Sequence, residues 1–187
     1  MIENEDIDFD KNLKQIKELS EKLKESIDGS VTILYHDINN ENIKYRGGYI
    51  DNKYEGKGKL YDNKGNIIYK GYFSNNEYNG FGNEFKNNKL LYEGFYKNGK
   101  KNGKGIIYYD DSKKIYFNGL FDMDNYQEGI LYDPDGNEIY EGLFMNNNPK
   151  EGKNLKLYRT SGNINYEGNI LNGEYHGHGI LYGKTKI

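Results

Sequence analysis

The sequence predicts an all-β fold of consecutive short β-hairpins, preceded by a single α-helix. Three observations support this prediction. An aromatic-x-Gly pattern recurs at a nearly constant interval, a second pattern of Gly-x-x-aromatic follows it in five of the six units, and the residues before the array have a helical period. Self-similarity at a fixed interval is typical of repeat architectures, in which one supersecondary unit is stacked many times.

The repeat is defined by glycines that return every 23 to 26 residues. Each lies two residues after an aromatic residue, and we interpret these as structural glycines: Gly47, Gly71, Gly94, Gly119, Gly142 and Gly168. The second half of each unit ends on an aromatic residue: Tyr61, Phe85, Tyr108, Tyr132, Tyr158 and Tyr182. Five of these six aromatics have a glycine three residues before them, and the exception has Leu155 there.

Each unit is predicted to form two strands and two turns. Tyr69, Gly71 and Phe73 alternate onto one face of the first strand, while Lys70 and Tyr72 point to the other. Asn-rich segments between the strands have turn chemistry, because asparagine tolerates positive φ. We expect an aromatic ring to lie over the glycine, where no Cβ is present. A row of such hairpins can then share an aromatic stripe that one hairpin could not bury alone.

This pattern resembles the MORN (membrane occupation and recognition nexus) repeat. The closest matches are YEGFYKNGKKNGKG, residues 92–105, and YEGNILNGEYHGHG, residues 166–179, and the resemblance covers about residues 43–183. It implies an elongated, twisted, single-layer antiparallel sheet of consecutive hairpins. The fourth unit departs from the pattern at Gln127, and the fifth has an insertion at residues 146–152, where the sheet is expected to bulge or bend.

The segment before the repeats predicts an amphipathic helix. Its apolar residues recur at steps of three or four, with Asp10 as the expected N-cap and Gly29 beyond the C-terminus: Phe9, Leu13, Ile16, Leu19, Leu23 and Ile27. We assign residues 1–29 to this helix and residues 30–187 to the array, a half-repeat plus about six units, with Val31–Tyr35 as the half-repeat. The helix is expected either to cap the sheet, at its first edge or on its aromatic face, or to bind a partner.

Composition excludes several classes of function. The 187 residues include no Cys, so the chain has no disulfide and no thiolate metal site. A net charge of −3 does not favour a nucleic-acid binder. No apolar run is long enough to span a membrane and the acidic start is unlike a signal peptide, so a cytoplasmic location is expected. The absence of Ala and abundance of Asn, Lys and Ile are typical of an AT-rich genome, as in some bacteria, phages and protists.

No motif predicts catalysis, a cofactor site or a metal site. His176 and His178 lie near each other but lack a specified third ligand, and no arrangement of nucleophile and base stands out. We therefore predict a non-catalytic module that binds a protein partner along an aromatic-rich face of the sheet. The residues expected to contact the partner are Tyr49, Tyr72, Phe95, Tyr69, Tyr92, Tyr140 and Tyr166.

Three uses of such a module stay open. The resemblance implies a scaffold, in some cases a homodimer, and short microbial relatives imply a stand-alone inhibitor. Such an inhibitor, of the antitoxin, immunity or phage anti-defence type, would occlude a toxin or nuclease. The family name implies phospholipid binding, for which the only support is one basic turn with Lys97, Lys100, Lys101 and Lys104.

Overall fold

The computed structural model describes residues 8–24, 31–37, 39, 41–110 and 113–183. Within these residues the chain forms one helix, α1 (Phe9–Lys24), followed by a succession of antiparallel strands. The strands are β1 (Thr32–Tyr35), β2 (Ile43–Ile50), β3 (Lys53–Tyr61), β4 (Ile67–Ser74), β5 (Glu77–Lys86), β6 (Lys89–Lys97), β7 (Lys100–Tyr108), β8 (Ile115–Asp122), β9 (Asn125–Tyr132), β10 (Glu138–Met145), β11 (Asn148–Pro149), β12 (Glu151–Tyr158), β13 (Ile164–Leu171) and β14 (Glu174–Leu181).

Consecutive strands pair antiparallel along the chain, except for β11 and β12, which confirms the single-layer sheet of consecutive hairpins. Strands β1 to β11 form one ladder and β12 to β14 a second. The ladder ends at Asn148–Pro149, inside the insertion of the fifth unit, where the sequence predicted a bend. Pro149 has no N–H to donate, so it cannot extend the ladder on that side. The array begins with β1, which pairs antiparallel with β2 so that Thr32 faces Gly47.

A continuous row of glycines crosses the larger ladder at its middle. Each glycine pairs with a glycine of the next strand: Gly47, Gly58, Gly71, Gly82, Gly94, Gly105, Gly119, Gly129 and Gly142. A Cβ on Gly71 would lie only 2.5 Å from the Tyr69 hydroxyl oxygen and from the Cα of Gly82. The row therefore gives each repeated aromatic ring room to lie flat on the backbone, as the sequence predicted.

The repeated tyrosine also makes a hydrogen bond across a β-bulge, which the sequence did not predict. In β4 the register shifts between Gly71 and Phe73, so Tyr72 is the extra residue. The Tyr69 hydroxyl crosses the glycine and donates to the Tyr72 carbonyl at 3.0 Å. The same bond to the residue three positions on is made by Tyr45, Tyr92, Tyr140 and Tyr166. Each repeated tyrosine thus satisfies a backbone acceptor near its own glycine.

The rings of successive units pack against one another and form the main core. Tyr69 stacks on Tyr78 with centroids 3.7 Å apart and meets Phe73 edge-on at 5.1 Å. This alternation of stacked and edge-on pairs, the arrangement that aromatic quadrupoles favour, recurs along the array. We call the surface that carries these rings the aromatic face.

Turn chemistry between the strands follows the sequence prediction. Asn75 and Asn76 have φ values of 52° and 73°, and Asn87 and Asn88 of 51° and 62°. Both residues of a two-residue hairpin turn of this type need positive φ, which asparagine tolerates well. In the Asp62–Gly65 turn, the N–H of Gly65 donates to the carbonyl of Asp62 at 3.1 Å.

Helix α1 lies on the opposite face of the sheet, which we call the helix-side face. It packs across β5 to β8, burying Ile16 and Leu23 against Phe81, Ile106 and Tyr108. The helix therefore does not pack on the aromatic face or on the edge strand β1, so both predicted positions for a cap were wrong. The aromatic face already buries itself by ring packing, whereas the helix-side face has an apolar patch over β5 to β8 that needs cover.

The helix begins slightly earlier than the sequence suggested. Asp8 Oδ1 accepts a hydrogen bond from the Lys11 N–H at 2.9 Å, so Asp8 is the N-cap and the prediction of Asp10 was wrong. Asp10 lies in the first turn, where a negative charge interacts favourably with the helix dipole. The predicted C-terminal features, Ile27 and Gly29, lie outside the described residues.

Candidate functional site

Several polar contacts fix helix α1 to the helix-side face, and three of them are spaced along its length. Asn12 Nδ2 donates to Asn118 Oδ1 at 2.9 Å near the helix start. Lys17 Nζ donates to Glu93 Oε1 at 2.6 Å in the middle. Further along, Asn83 Nδ2 donates to Ser20 Oγ at 2.8 Å. These contacts hold the helix in one orientation on the sheet, because each polar group of the sheet lies on a different strand.

Glu93 is the most deeply buried charged residue of this seam. Its side chain is 1% exposed, against 48% for Lys17, and it also accepts a hydrogen bond from the Tyr108 hydroxyl. Burial, reinforced by the Glu93 carboxylate, raises the pKa of Tyr108. Tyr108 therefore remains a neutral donor to the carboxylate.

The row that contains Glu93 runs along the helix-side face, one residue from each glycine. Its members pair directly from strand to strand: Arg46, Lys59, Lys70, Asn83, Glu93, Ile106, Asn118, Ile130 and Glu141. The chemistry changes along the row. Its middle, from Asn83 to Asn118, lies under α1, and its first three members are all cationic. One repeat position is therefore used for helix docking in some strands and for a charged surface in others.

The cationic end of the row forms what we call the basic strip: Arg46, Lys57, Lys59 and Lys70. Arg46 faces Lys59, and Lys59 faces Lys70, so like charges are directly opposite on three neighbouring strands. Such pairs destabilise a sheet. Beside them Lys57 faces Tyr72, whose side chain is 44% exposed. A strip of this kind is suited to binding a group that brings negative charge.

The structure divides the aromatic residues predicted to contact a partner. Tyr69, Tyr92 and Tyr166 are buried in the aromatic core, so their rings are not available at a surface as placed. Tyr49 and Tyr140 are half-buried at the same face, and Tyr49 lies 6.1 Å from Tyr54. Phe95 packs beside Phe81 in the cluster under α1. Of the seven, Tyr72 is the one that is exposed on the helix-side face.

The predicted basic turn does not form a single patch. Lys101 pairs with Glu84 at 2.9 Å and lies over the Tyr92 ring, on the aromatic face. Lys104 donates to Gln15 of α1 at 3.2 Å, on the helix-side face. The four lysines of this turn are therefore split between the two faces. Cationic charge is concentrated instead in the basic strip, which the sequence analysis did not single out because its members lie on different strands.

Two further findings bear on the kind of site. Among the described residues, no group of three His, Cys, Asp or Glu side chains is close enough to hold a metal ion. The described helix is too short and too polar to cross a membrane.

Comparison with known families agrees with this architecture. The family model of the MORN repeat matches residues 45–67, 69–89, 92–114 and 166–185. The chain belongs to the MORN repeat family. The matched segments begin on the tyrosines that lie over the glycine row, Tyr45, Tyr69, Tyr92 and Tyr166, and the unmatched part contains the fourth unit and the insertion of the fifth. A comparison with curated proteins found no match.

MORN repeats commonly act as protein- or lipid-binding modules, and the family is one of binding and scaffold repeats and not of enzymes. The membership therefore supports a non-catalytic binding role for this MORN-repeat array, in agreement with the broad prediction from the sequence.

Proposed function

We propose that this MORN-repeat protein is a non-catalytic module that binds an acidic protein partner on the helix-side face, through the basic strip and Tyr72. The observation that carries the proposal is the cross-strand pairing of Arg46 with Lys59, two like charges directly opposite each other on β2 and β3. Carboxylates of a partner would neutralise these charges. Tyr72 beside them supplies an exposed aromatic ring, a common anchor of protein interfaces.

The proposal places the contact surface on a different face from the one that the sequence favoured. Most rings of the aromatic face pack in its own core, since Tyr45, Tyr69, Tyr92 and Phe117 are almost fully buried. A partner could not use these rings without unpacking them. On the helix-side face beyond α1, Arg46 and Tyr72 are both exposed in the part of the chain that the structure describes.

Affinity capture with matched charge variants tests the proposal. Tagged full-length protein is compared with Arg46→Glu/Lys59→Glu and with the control Lys97→Glu/Lys153→Glu, which changes the net charge equally at exposed positions of β6 and β12, outside the strip. Tyr72→Ser is the third variant. We expect one stoichiometric partner to be recovered by wild type and control, and its recovery to fall about tenfold or more in the strip variant and in Tyr72→Ser.

The same experiment separates the alternatives. A toxin or nuclease as the strip-dependent partner would make the protein an inhibitor. If the protein is recovered alone, and if its sedimentation with vesicles that contain anionic lipid depends on the strip, the ligand of the strip is a membrane surface and not a protein. Recovery of the protein alone with a doubled mass in solution would indicate a homodimer. Equal partner recovery by wild type and the strip variant would refute the proposed surface.

A further inference from the structure

A cavity of about 630 Å³ lies between α1 and the helix-side face over β4 to β7. Ser20 and Lys17 of the helix form one side, and Asn83, Phe85 and Tyr108 of the strands lie opposite or beneath. Sites for small molecules in proteins have volumes of roughly 300 to 1,000 Å³. The cavity is therefore large enough for a metabolite and is separate from the exposed end of the basic strip at Arg46.

The cavity is cationic although the whole chain carries a net charge of −3. Four lysines line it, Lys17, Lys70, Lys89 and Lys113, against the two carboxylates Glu21 and Glu93. The ion pair of 2.6 Å between Lys17 and Glu93 offsets one charge of each sign, which leaves three lysines against the single carboxylate of Glu21. This excess of positive charge favours a ligand with an anionic group.

Apolar side chains supply the rest of the wall. Phe85 and Leu90 are half-buried and line the cavity from β5 and β6. One face of the Tyr108 ring is taken by Lys17, whose Nζ lies 4.6 Å from the ring centroid. Phe85 is therefore the ring against which a flat, apolar part of a ligand can stack.

The carboxamide of Asn83 adds an unsatisfied polar group at the wall. Asn83 is 7% exposed, and its Oδ1 has no hydrogen-bond partner among the described residues. Its Nδ2 donates to Ser20 Oγ, which leaves the Ser20 hydroxyl proton available for another acceptor. Buried acceptors are normally paired, so an unpaired one beside a cavity indicates where a ligand donor belongs. Asn83 and Ser20 together match a ligand edge that has a donor next to an acceptor.

We propose that this cavity binds a nucleoside monophosphate. The base would stack on Phe85 and present its donor–acceptor edge to Asn83 and Ser20, and the phosphate would lie near Lys113 and Lys89. A planar heterocycle with such an edge, joined to a dianion, combines the three features that the cavity provides. Lys70 belongs both to the basic strip and to the cavity lining, but this inference does not rest on the proposed protein-binding function, because it is tested at Asn83 and Lys113, which lie outside the strip.

The test uses the full-length protein and the four ribonucleoside monophosphates, measured by isothermal titration calorimetry and ligand-observed NMR. Adenosine serves as a probe of the ring alone and inorganic phosphate as a probe of the anion alone. We expect at least one monophosphate to bind about tenfold or more tightly than either partial probe. Absence of binding by all four at millimolar concentration would overturn the proposal. Equal binding of inorganic phosphate would also overturn it, by showing an anion site with no role for the base.

Two variants locate the site. Lys113→Gln is expected to weaken monophosphate binding by about tenfold, while Lys153→Gln, at an exposed position of β12 in the other ladder, leaves it unchanged. Asn83→Leu keeps the shape but removes the unpaired oxygen, so binding should fall while the folded state persists. Unchanged binding in a folded Asn83→Leu would contradict the proposed role of the cavity wall. Retained binding in both variants would place the ligand elsewhere.

Discussion

Lys17 of α1 and Glu93 of β6 form an ion pair of 2.6 Å across the seam between helix and sheet. The pair is unequal, since the carboxylate is 1% exposed and the lysine 48%. The Tyr108 hydroxyl completes the arrangement by donating to the same carboxylate. Seventy-six residues separate the partners in the chain, so this contact helps to determine where the helix lies on the repeat array.

Because Glu93 is buried and Lys17 is half-exposed, we predict that replacing one partner lowers the free energy of unfolding by a different amount from replacing the other. Lys17→Met leaves the Glu93 carboxylate buried with only Tyr108 as a donor, and we expect a loss of about 2–4 kcal/mol in the free energy of unfolding. Glu93→Gln removes the buried charge and keeps the shape, with an expected loss of about 1–2 kcal/mol. Urea unfolding of both variants measures the difference. An equal or larger loss in Glu93→Gln would contradict the assignment of Glu93 as the buried charge.

The hydroxyl of each repeated tyrosine is predicted to stabilise the bulge that it closes. Tyr69→Phe keeps the ring over the glycine row but leaves the Tyr72 carbonyl without its 3.0 Å donor. We expect a loss of about 1–2 kcal/mol. Tyr72→Phe is the matched control, because its side chain is 44% exposed, and should change stability by less than about 0.5 kcal/mol. Equal effects in the two variants would show that the hydroxyl of Tyr69 does not support the bulge.

Sequence analysis predicted the array well because each unit repeats the same physical requirement. An aromatic ring needs a position without a Cβ beside it, so glycine and aromatic residues recur in register, and Gly71 with Tyr69 or Gly94 with Tyr92 can be recognised in a single sequence. The hydroxyl bond was missed because it depends on the bulge. In the fourth unit Phe117 takes the place of the tyrosine and has no hydroxyl, so the hydrogen bond to the carbonyl three residues on is not made in every unit.

The candidate site could be predicted only in part. Amphipathic spacing shows that a helix buries one side, but it does not show which face of a sheet covers that side. The seam residues Asn83, Glu93 and Asn118 look like ordinary polar residues in their own strands. Their shared position, one residue from the glycine, is the signal that could have identified them. The basic strip was missed for the same reason, because Arg46, Lys59 and Lys70 become neighbours only through strand pairing.

Alkaline pH is predicted to unfold the protein before most of its 20 tyrosines ionise. Burial raises the pKa of Tyr78 to about 12 and that of Tyr116 to about 12, and it also raises the pKa of Tyr45, Tyr69 and Tyr92. The folded state thus favours the neutral phenol. The corresponding stability is present below the unfolded pKa of about 10 and is lost as pH rises through the folded values.

Tyrosinate absorbance and circular dichroism, recorded together against pH, test this prediction. We expect ionisation of the buried tyrosines to coincide with loss of the β-sheet signal. Ionisation of nearly all tyrosines close to pH 10, with the sheet signal intact, would show that the rings are not buried as described.

The turn between β8 and β9 has methionine where the equivalent turns have asparagine or aspartate, and we predict that asparagine there stabilises the protein. Met123 has a φ of 47° in the turn between β8 and β9, where Asn146 has 54° in the equivalent turn between β10 and β11. Positive φ is unfavourable for a side chain such as methionine, so Met123→Asn should stabilise the protein by about 0.5–1 kcal/mol. Met145→Asn, at a strand position of similar exposure, should give no gain. Thermal unfolding of both variants measures the difference, and a loss of stability in Met123→Asn would refute the prediction that Met123 is unfavourable in this turn.

The position of α1 underlies both the proposed surface and the proposed cavity, and the absence of native cysteine allows it to be measured directly. Ser20→Cys/Asn83→Cys is treated with a short thiol-specific cross-linker beside Ser20→Cys/Ile33→Cys, whose second site is on the edge strand β1. Rapid intramolecular cross-linking of the first pair and little of the second is the predicted result. Efficient cross-linking to β1 with none to β5 would place α1 on the sheet edge and contradict the account.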